Sequence, residues 1–158
     1  MSRSALIVID MINGYDHPDA DPLTESVREA LPAIEELLAD SDLTIYVNDN
    51  FGYWRSNRDD LVRQALDGRY PDLVEPIKPD DDALFVVKAR HSIFYQTPLE
   101  YLLGQEGVDR VVLTGQVTEQ CILYSALDAY IRHFDVRVPR NAVAHIHEDL
   151  ADAALKMM

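Results

Sequence analysis

Cys121 is the only cysteine in this chain of 158 residues. It lies at the end of Thr114-Gly115-Gln116-Val117-Thr118-Glu119-Gln120-Cys121, where the apolar run Val111-Val112-Leu113 passes into a helical pattern. A thiol in the first turn of a helix meets unpaired N–H groups and the positive end of the helix dipole, so its thiolate is expected to be favoured. A thiolate adds to carbonyl carbon when a base and a counter-charge stand beside it. Two other apolar runs end in such partners: the carboxylate of Asp10 follows Leu6-Ile7-Val8-Ile9, and the ammonium of Lys88 follows Phe85-Val86-Val87. Each residue also has an ordinary reading. Free cysteine is often a small buried hydrophobe, a strand-end aspartate can close a turn, and a lysine can snorkel from a strand end. Asp10 is harder to dismiss, because a carboxylate that interrupts the apolar stretch Leu6 to Ile12 costs several kcal/mol unless it is paired.

The elements that would carry these residues alternate along the chain. Strands are predicted over Ala5–Ile9, Thr44–Val47, Leu84–Val87 and Val111–Leu113, with a weaker one near Asp135–Val138. The first four are nearly continuous in apolar or β-branched residues, as strands covered on both faces are. Helices are predicted near Leu23–Leu38, Arg58–Leu66, Pro98–Leu103, Glu119–Phe134 and Glu148–Met157, with Thr97-Pro98 read as a capped helix start. In the helix after Cys121, Leu123, Ala126, Leu127, Tyr130 and Phe134 form one stripe at about 100° per residue, and the sulfur points away from it. Strand and helix in alternation predict right-handed crossovers, hence an α/β, Rossmann-like three-layer α/β/α fold with a mostly parallel sheet of five or six strands. Ligands of such sheets bind beyond the carboxyl ends of the strands, and Asp10, Lys88 and Cys121 all belong to that edge.

A chain of 158 residues suits a single domain spanning residues 1–158, with a core that needs no disulfide or structural metal. The formal charge of −14 argues against nucleic acid and anionic membranes as partners. One cysteine forms no internal bridge, and the apolar segment after Met1-Ser2-Arg3-Ser4 is too short for a signal peptide or a membrane span, so a cytoplasmic location is expected.

Taken together, these residues resemble the isochorismatase-like cysteine hydrolases, a group that includes nicotinamidases and N-carbamoylsarcosine amidohydrolase. The resemblance runs over nearly the whole chain. It rests on Val8-Ile9-Asp10-Met11-Ile12-Asn13, on Lys88 followed by Ser92, Phe94 and Thr97, and on Gly115 to Cys121 with its continuation Ser125-Ala126-Leu127-Asp128-Ala129. It implies that Asp10, Lys88 and Cys121 form a catalytic triad. It also implies a cis peptide between Gln116 and Val117, with the backbone N–H groups of Val117 and Cys121 as an oxyanion hole. An oligomer, a dimer or larger, is implied as well.

The departures from the group's pattern are informative. Nicotinamidases carry a metal-binding Asp-x-His and a further His after the second strand, whereas Asn48-Asp49-Asn50-Phe51-Gly52-Tyr53-Trp54 has no histidine. No metal and no cofactor are therefore expected. Ile12 replaces a frequent glutamine, and the chain stops at Met157-Met158 where relatives usually continue into a sixth strand, so either the tail is truncated or the edge of the sheet ends early, without a C-terminal strand. A cysteine at position 121 favours attack on a carbonyl, and with it the C–N bond of a small amide or carbamoyl substrate, opened through a thioester. Asp10 is the expected base in both steps. The alternatives are vinyl-ether hydrolysis of the isochorismatase type, or a non-catalytic thiol-bearing binding protein. Tyr15, Trp54 and Phe94 are candidates for the pocket wall, with core packing or a subunit contact as the other reading. His91 lies near the cleft without an assigned role, and His145 and His147 are read as a polar approach to the last helix.

Overall fold

The structure is a computed structural model and describes residues 2–158, so Met1, the first residue of the expected domain, lies outside it. Its strands are β1 (Ser4–Ile9), β2 (Thr44–Asp49), β3 (Leu84–Lys88), β4 (Arg110–Gln116), β5 (Asp135–Arg137) and β6 (Val143–Ala144). Its helices are α1 (Ala20–Asp40), α2 (Arg58–Leu66), α3 (Leu99–Gln105), α4 (Leu123–Ile131) and α5 (Glu148–Met157). The sheet runs β3-β2-β1-β4-β5, with β6 also paired to β4, and every pairing is parallel. Helices cover both faces, giving the three-layer α/β/α arrangement.

Alternation along the central strand explains its unbroken apolar sequence. Ala5, Ile7 and Ile9 enter the core on one face, while Leu6 and Val8 enter the core on the other. On the second face α1 contributes Leu23, Val27, Ala30 and Ile34, a stripe at helical spacing. On the first, α3 and α4 contribute Leu99, Leu103, Ala126 and Ala129. Coverage of both faces holds for the inner strands. Val87 in β3 is open to solvent, because β3 is an edge strand with a neighbour on one side only.

The expected strands are all present, and the first four are one to four residues longer than expected. β6 is new: it is two residues long and pairs with Gly115 and Gln116, beyond the point where β5 ends. A run that short has no period for a sequence reading to detect. The predicted Glu119–Phe134 helix is divided into a π-helical turn, Thr118–Ile122, followed by α4. Its buried face also differs from the predicted stripe. Ile122, Ser125, Ala126 and Ala129 are buried, whereas Leu127 is exposed and Tyr130 is 75% exposed. The π turn adds a residue to the first turn and so rotates the following helix relative to an uninterrupted α-helical count.

At Gly115 the two central strands approach too closely for a side chain. The glycine stands opposite Ile9 with φ at 114°, and a Cβ there would lie 2.1 Å from the Ile9 carbonyl oxygen. Only glycine accommodates both conditions. The strand that delivers Asp10 and the strand that leads to Cys121 are thereby held together at their carboxyl ends. Among the described residues, no helix is long and apolar enough to cross a membrane.

Candidate active site

Asp10 follows the last residue of β1 and has φ at 57°, in the left-handed region that aspartate tolerates better than most residues. Leaving the strand at this residue puts its carboxylate beside the ends of β2 and β3. Oδ1 accepts the Asp49 N–H at 2.8 Å, and Oδ2 lies 3.1 Å from Lys88 Nζ. The Lys88 side chain is fully buried at the end of β3. Its ammonium donates to the Arg90 carbonyl at 3.0 Å and to Cys121 Sγ at 3.5 Å, so with Asp10 its three N–H directions are taken. A second carboxylate, Asp49, stands 3.6 Å from the same nitrogen. Asp10, Lys88 and Cys121, far apart in sequence, are thus gathered at one sheet edge.

Cys121 is 7% exposed, with the apolar core on one side and the charged group on the other. Burial, and then the Asp10 charge, push its thiol up to about 12 despite the opposing pull of Lys88. The expectation of a favoured resting thiolate is therefore corrected. The sulfur sits inside a π-helical turn rather than at an exposed α-helix start, and desolvation outweighs the stabilising charge of Lys88. Burial also raises the Asp10 carboxyl, with Lys88 opposing and Asp49 reinforcing the shift. For Lys88, burial works against the ammonium, but the charges of Asp10, Cys121 and Asp49 outweigh it, so its pKa is raised. At rest the centre holds a neutral thiol, an ion pair and a carboxylate of enhanced basicity.

The surrounding frame is polar and largely buried. The Gln116–Val117 peptide is cis. Gln116 Nε2 donates to the Asp10 carbonyl at 2.7 Å and to the Tyr15 hydroxyl at 3.2 Å. Asn48 bridges β2 to the segment after Asp10, accepting from Ile12 N–H and donating to Ile12 carbonyl, each at 3.0 Å. From the other side, Ser92 Oγ donates to Asp128 at 2.5 Å and Ile93 N–H donates to Ser125 Oγ at 3.1 Å. These bonds tie the loop after β3 to the helix after Cys121. Glu119 accepts the Ile146 and His147 N–H groups, and His145 pairs with Ser26, so the two histidines before α5 belong to the frame.

The pocket candidates part company. Tyr15 is buried and helps line an open hollow of about 840 Å³, together with Asn13, Phe51, Tyr53, Gln64 and Arg69. Phe94 stacks on Phe134 at 6.0 Å and belongs to the core. Trp54 is 79% exposed on the loop between β2 and α2. Neither of these two lines that hollow.

Sequence reasoning missed Asp49, Gln116 as a brace and the contact of His91 with sulfur. Asp49 and Gln116 are polar residues at the carboxyl ends of strands, so extending β2 and β4 to their full length would have exposed both. His91 Nδ1 lies 3.8 Å from Cys121 Sγ, a proximity that no spacing in the chain reveals. The residues after β2 do not suit a metal. Asp49 is engaged with Lys88 and with the Phe51 N–H, and Asn50 with the Gly52 N–H. Among the described residues no cluster of three or more His, Cys, Asp or Glu could hold one.

The family model described as "Isochorismatase domain" matches residues 4–158. An isochorismatase family protein of Bacillus subtilis, YaaI, is 30% identical over 98% of this chain and 87% of its own length. Maleamate amidohydrolase of Pseudomonas putida is 30% identical over 97% of this chain and 78% of its own length. The crystal structure of an isochorismatase-like hydrolase from Alkaliphilus metalliredigens superposes with a TM-score of 0.75 at 25% identity, covering 99% of this chain and 89% of that one.

Proposed function

Since the chain belongs to the isochorismatase family, a family of hydrolases with amidohydrolases among its members, we propose that it opens a C–N bond of a small amide or carbamoyl-type substrate through a thioester on Cys121. The observation that carries this reading is the position of Lys88 Nζ, 3.1 Å from the Asp10 carboxylate and 3.5 Å from the Cys121 sulfur. Maleamate amidohydrolase, a relative of nearly full coverage, acts on an amide by its name.

The geometry supports the following order of events. Because the thiol is pushed up to about 12, it does not attack as a preformed anion. Its proton passes to Asp10 as the sulfur approaches the substrate carbonyl, and the Lys88 ammonium stabilises the charge that develops on sulfur. Carbonyl oxygen becomes an oxyanion, for which the backbone N–H groups of Val117 and Cys121 are the proposed donors. A single donor of this kind contributes about 3–4 kcal/mol of transition-state stabilisation in known enzymes. Asp10 then returns the proton to the leaving nitrogen, and the C–N bond breaks. The raised Asp10 pKa suits both transfers, since a stronger base is needed first and a ready acid second. Water finally hydrolyses the thioester and frees the thiol.

Intact-mass measurement after exposure to a panel of small amides and carbamoyl compounds tests the reading. A covalent increment on Cys121, abolished in Cys121→Ala, is the expected result and its mass identifies the acyl group. Turnover that persists undiminished in Cys121→Ser would instead indicate vinyl-ether chemistry, and no adduct with any amide would count against a thioester.

A further inference from the structure

The large side chains of α4 are on its outside. Toward the core the helix buries Ser125, Ala126 and Ala129, all small, while Tyr124, Leu127, Tyr130 and Ile131 are between 43% and 75% exposed. Tyr124, Leu127 and Ile131 recur at helical spacing and form one stripe, with Tyr130 beside it. Next to the stripe lies an apolar groove of about 550 Å³, lined by Leu127, Tyr130, Phe134, Val136, Leu155 and Met157. Leu127 and Tyr130 belong to both features, so ridge and groove make one continuous face. A helix that is apolar all round is ordinarily buried all round, and monomers rarely expose one large apolar patch.

The charges of this face say what covers it. The chain has 28 acids and a formal charge of −14, and elsewhere those acids stand in the open, as Glu25, Glu29, Glu35 and Glu36 do on α1. Asp128 is the only charged residue of α4, and it lies 3.5 Å from the Arg132 guanidinium. Asp135, on the rim of the groove, is held by Arg110 at 2.6 Å and by Arg137 at 3.2 Å. Every acid on the face is therefore neutralised within its own chain. A basic partner would find no open carboxylate here, whereas two copies that repel each other elsewhere can meet on it without opposing like charges.

We propose that this face is a two-fold contact with a second copy of the chain, α4 packed against α4 of the partner. A two-fold contact uses the same patch on both copies, which must then be complementary to itself. A ridge adjoining a groove of the same apolar chemistry meets that condition. Tyr124, Leu127, Tyr130, Ile131 and Met157 together present on the order of 600 Å² of side-chain surface. That is most of the roughly 800 Å² per partner in a standard stable interface. The stripe begins three residues after Cys121, and the Tyr124 ring stacks on His91, whose Nδ1 is 3.8 Å from the sulfur. The contact thus extends to the rim of the candidate active site.

Sedimentation equilibrium across nanomolar to high micromolar concentration measures the association. The unsubstituted protein is expected to be a dimer with twice the mass of one chain. Y130E and I131E each bury a charge in the contact and are expected to raise the dimer Kd about a hundredfold or more, with the circular dichroism spectrum unchanged. W54E adds the same charge at an exposed residue on the loop between β2 and α2, and is expected to leave the dimer intact. Cross-linking tests the face without weakening it. In a C121A background, Leu127→Cys is expected to form a disulfide between copies on mild oxidation, and Trp54→Cys is not. An unsubstituted chain that stays monomeric throughout overturns the proposal. So does a dimer that persists in both Y130E and I131E, one that W54E dissociates equally, or a cross-link at Trp54→Cys and none at Leu127→Cys.

Discussion

Asp49 and Lys88 stand opposite each other in the parallel ladder of β2 and β3, with the carboxylate 3.6 Å from the ammonium. Lys88 therefore serves two carboxylates, and Asp49 acts on Asp10 as well, through its N–H and through its charge. The N–H favours an ionised Asp10, whereas the charge opposes it and contributes to the raised pKa.

Asp49→Asn removes the charge and keeps the N–H, so it is expected to lower the Asp10 pKa. A carboxylate that acts as base is inactivated as pH falls through its pKa. The acid limb of kcat/KM is therefore expected to move to lower pH in Asp49→Asn, and the plateau to fall because Asp10 becomes a weaker base. A pH profile of kcat/KM measures both, and an acid limb displaced to higher pH would contradict the assignment.

Lys88→Met leaves two carboxylates facing each other around an apolar chain. Losing one partner of a buried ion pair destabilises by about 3–5 kcal/mol, because the other charge is left uncompensated. Urea unfolding near neutral pH is expected to show that loss. It should shrink as pH is lowered, since Asp10, whose pKa burial already raises, then becomes protonated and no longer needs the partner. Pairing Lys88→Met with Asp10→Asn is expected to restore part of the stability and none of the turnover.

Alkylation of Cys121 should separate the resting thiol from the working one. With its pKa at about 12, the thiol is expected to react with iodoacetamide more slowly at neutral pH than a free cysteine does, and to speed up as pH rises. Asp10 opposes formation of the thiolate by its charge. Asp10→Asn is therefore expected to raise the alkylation rate while it abolishes amide turnover. Loss of both together would mean that Asp10 drives thiolate formation in the resting protein.

Two glycines make a matched pair of substitutions. Gly115→Ala places a Cβ against the Ile9 carbonyl at a φ of 114°, and forcing the central strands apart is expected to cost several kcal/mol and all activity. Gly104→Ala in α3 meets nothing within 4 Å and is expected to stabilise by about 0.5–1 kcal/mol. Thermal unfolding of both, with turnover alongside, checks the contrast.

Much of the fold was legible because its signals are local. Leu6 to Ile9 read as a covered strand since neighbouring residues enter opposite cores, and α2 has the ends predicted for it, its start fixed in the structure by a capping box of Asn57 and Asp60. The ends of strands were less legible. Asp49, Lys88 and Gln116 are polar, so an apolar-run criterion stops short of them, although the ladder continues through all three. The π turn escaped for a related reason: Thr118–Ile122 keeps a helix-like composition, and its wider turn has no compositional mark. As a result the stripe through Leu127 and Tyr130 was assigned to the core while Ser125 and Ala129 occupy it.

Chain order alone determined which residue types stand at the carboxyl ends of the strands, since hydrophobic periodicity and its interruptions are written residue by residue. Distances and environments were decided only in three dimensions. That Lys88 reaches Asp10, Asp49 and Cys121 at once, that burial keeps the thiol protonated, and that His91 lies against the sulfur all depend on segments remote in sequence. The physical reason is that desolvation and Coulomb interaction are set by what surrounds a group in space. Neighbours along the chain supply only part of those surroundings.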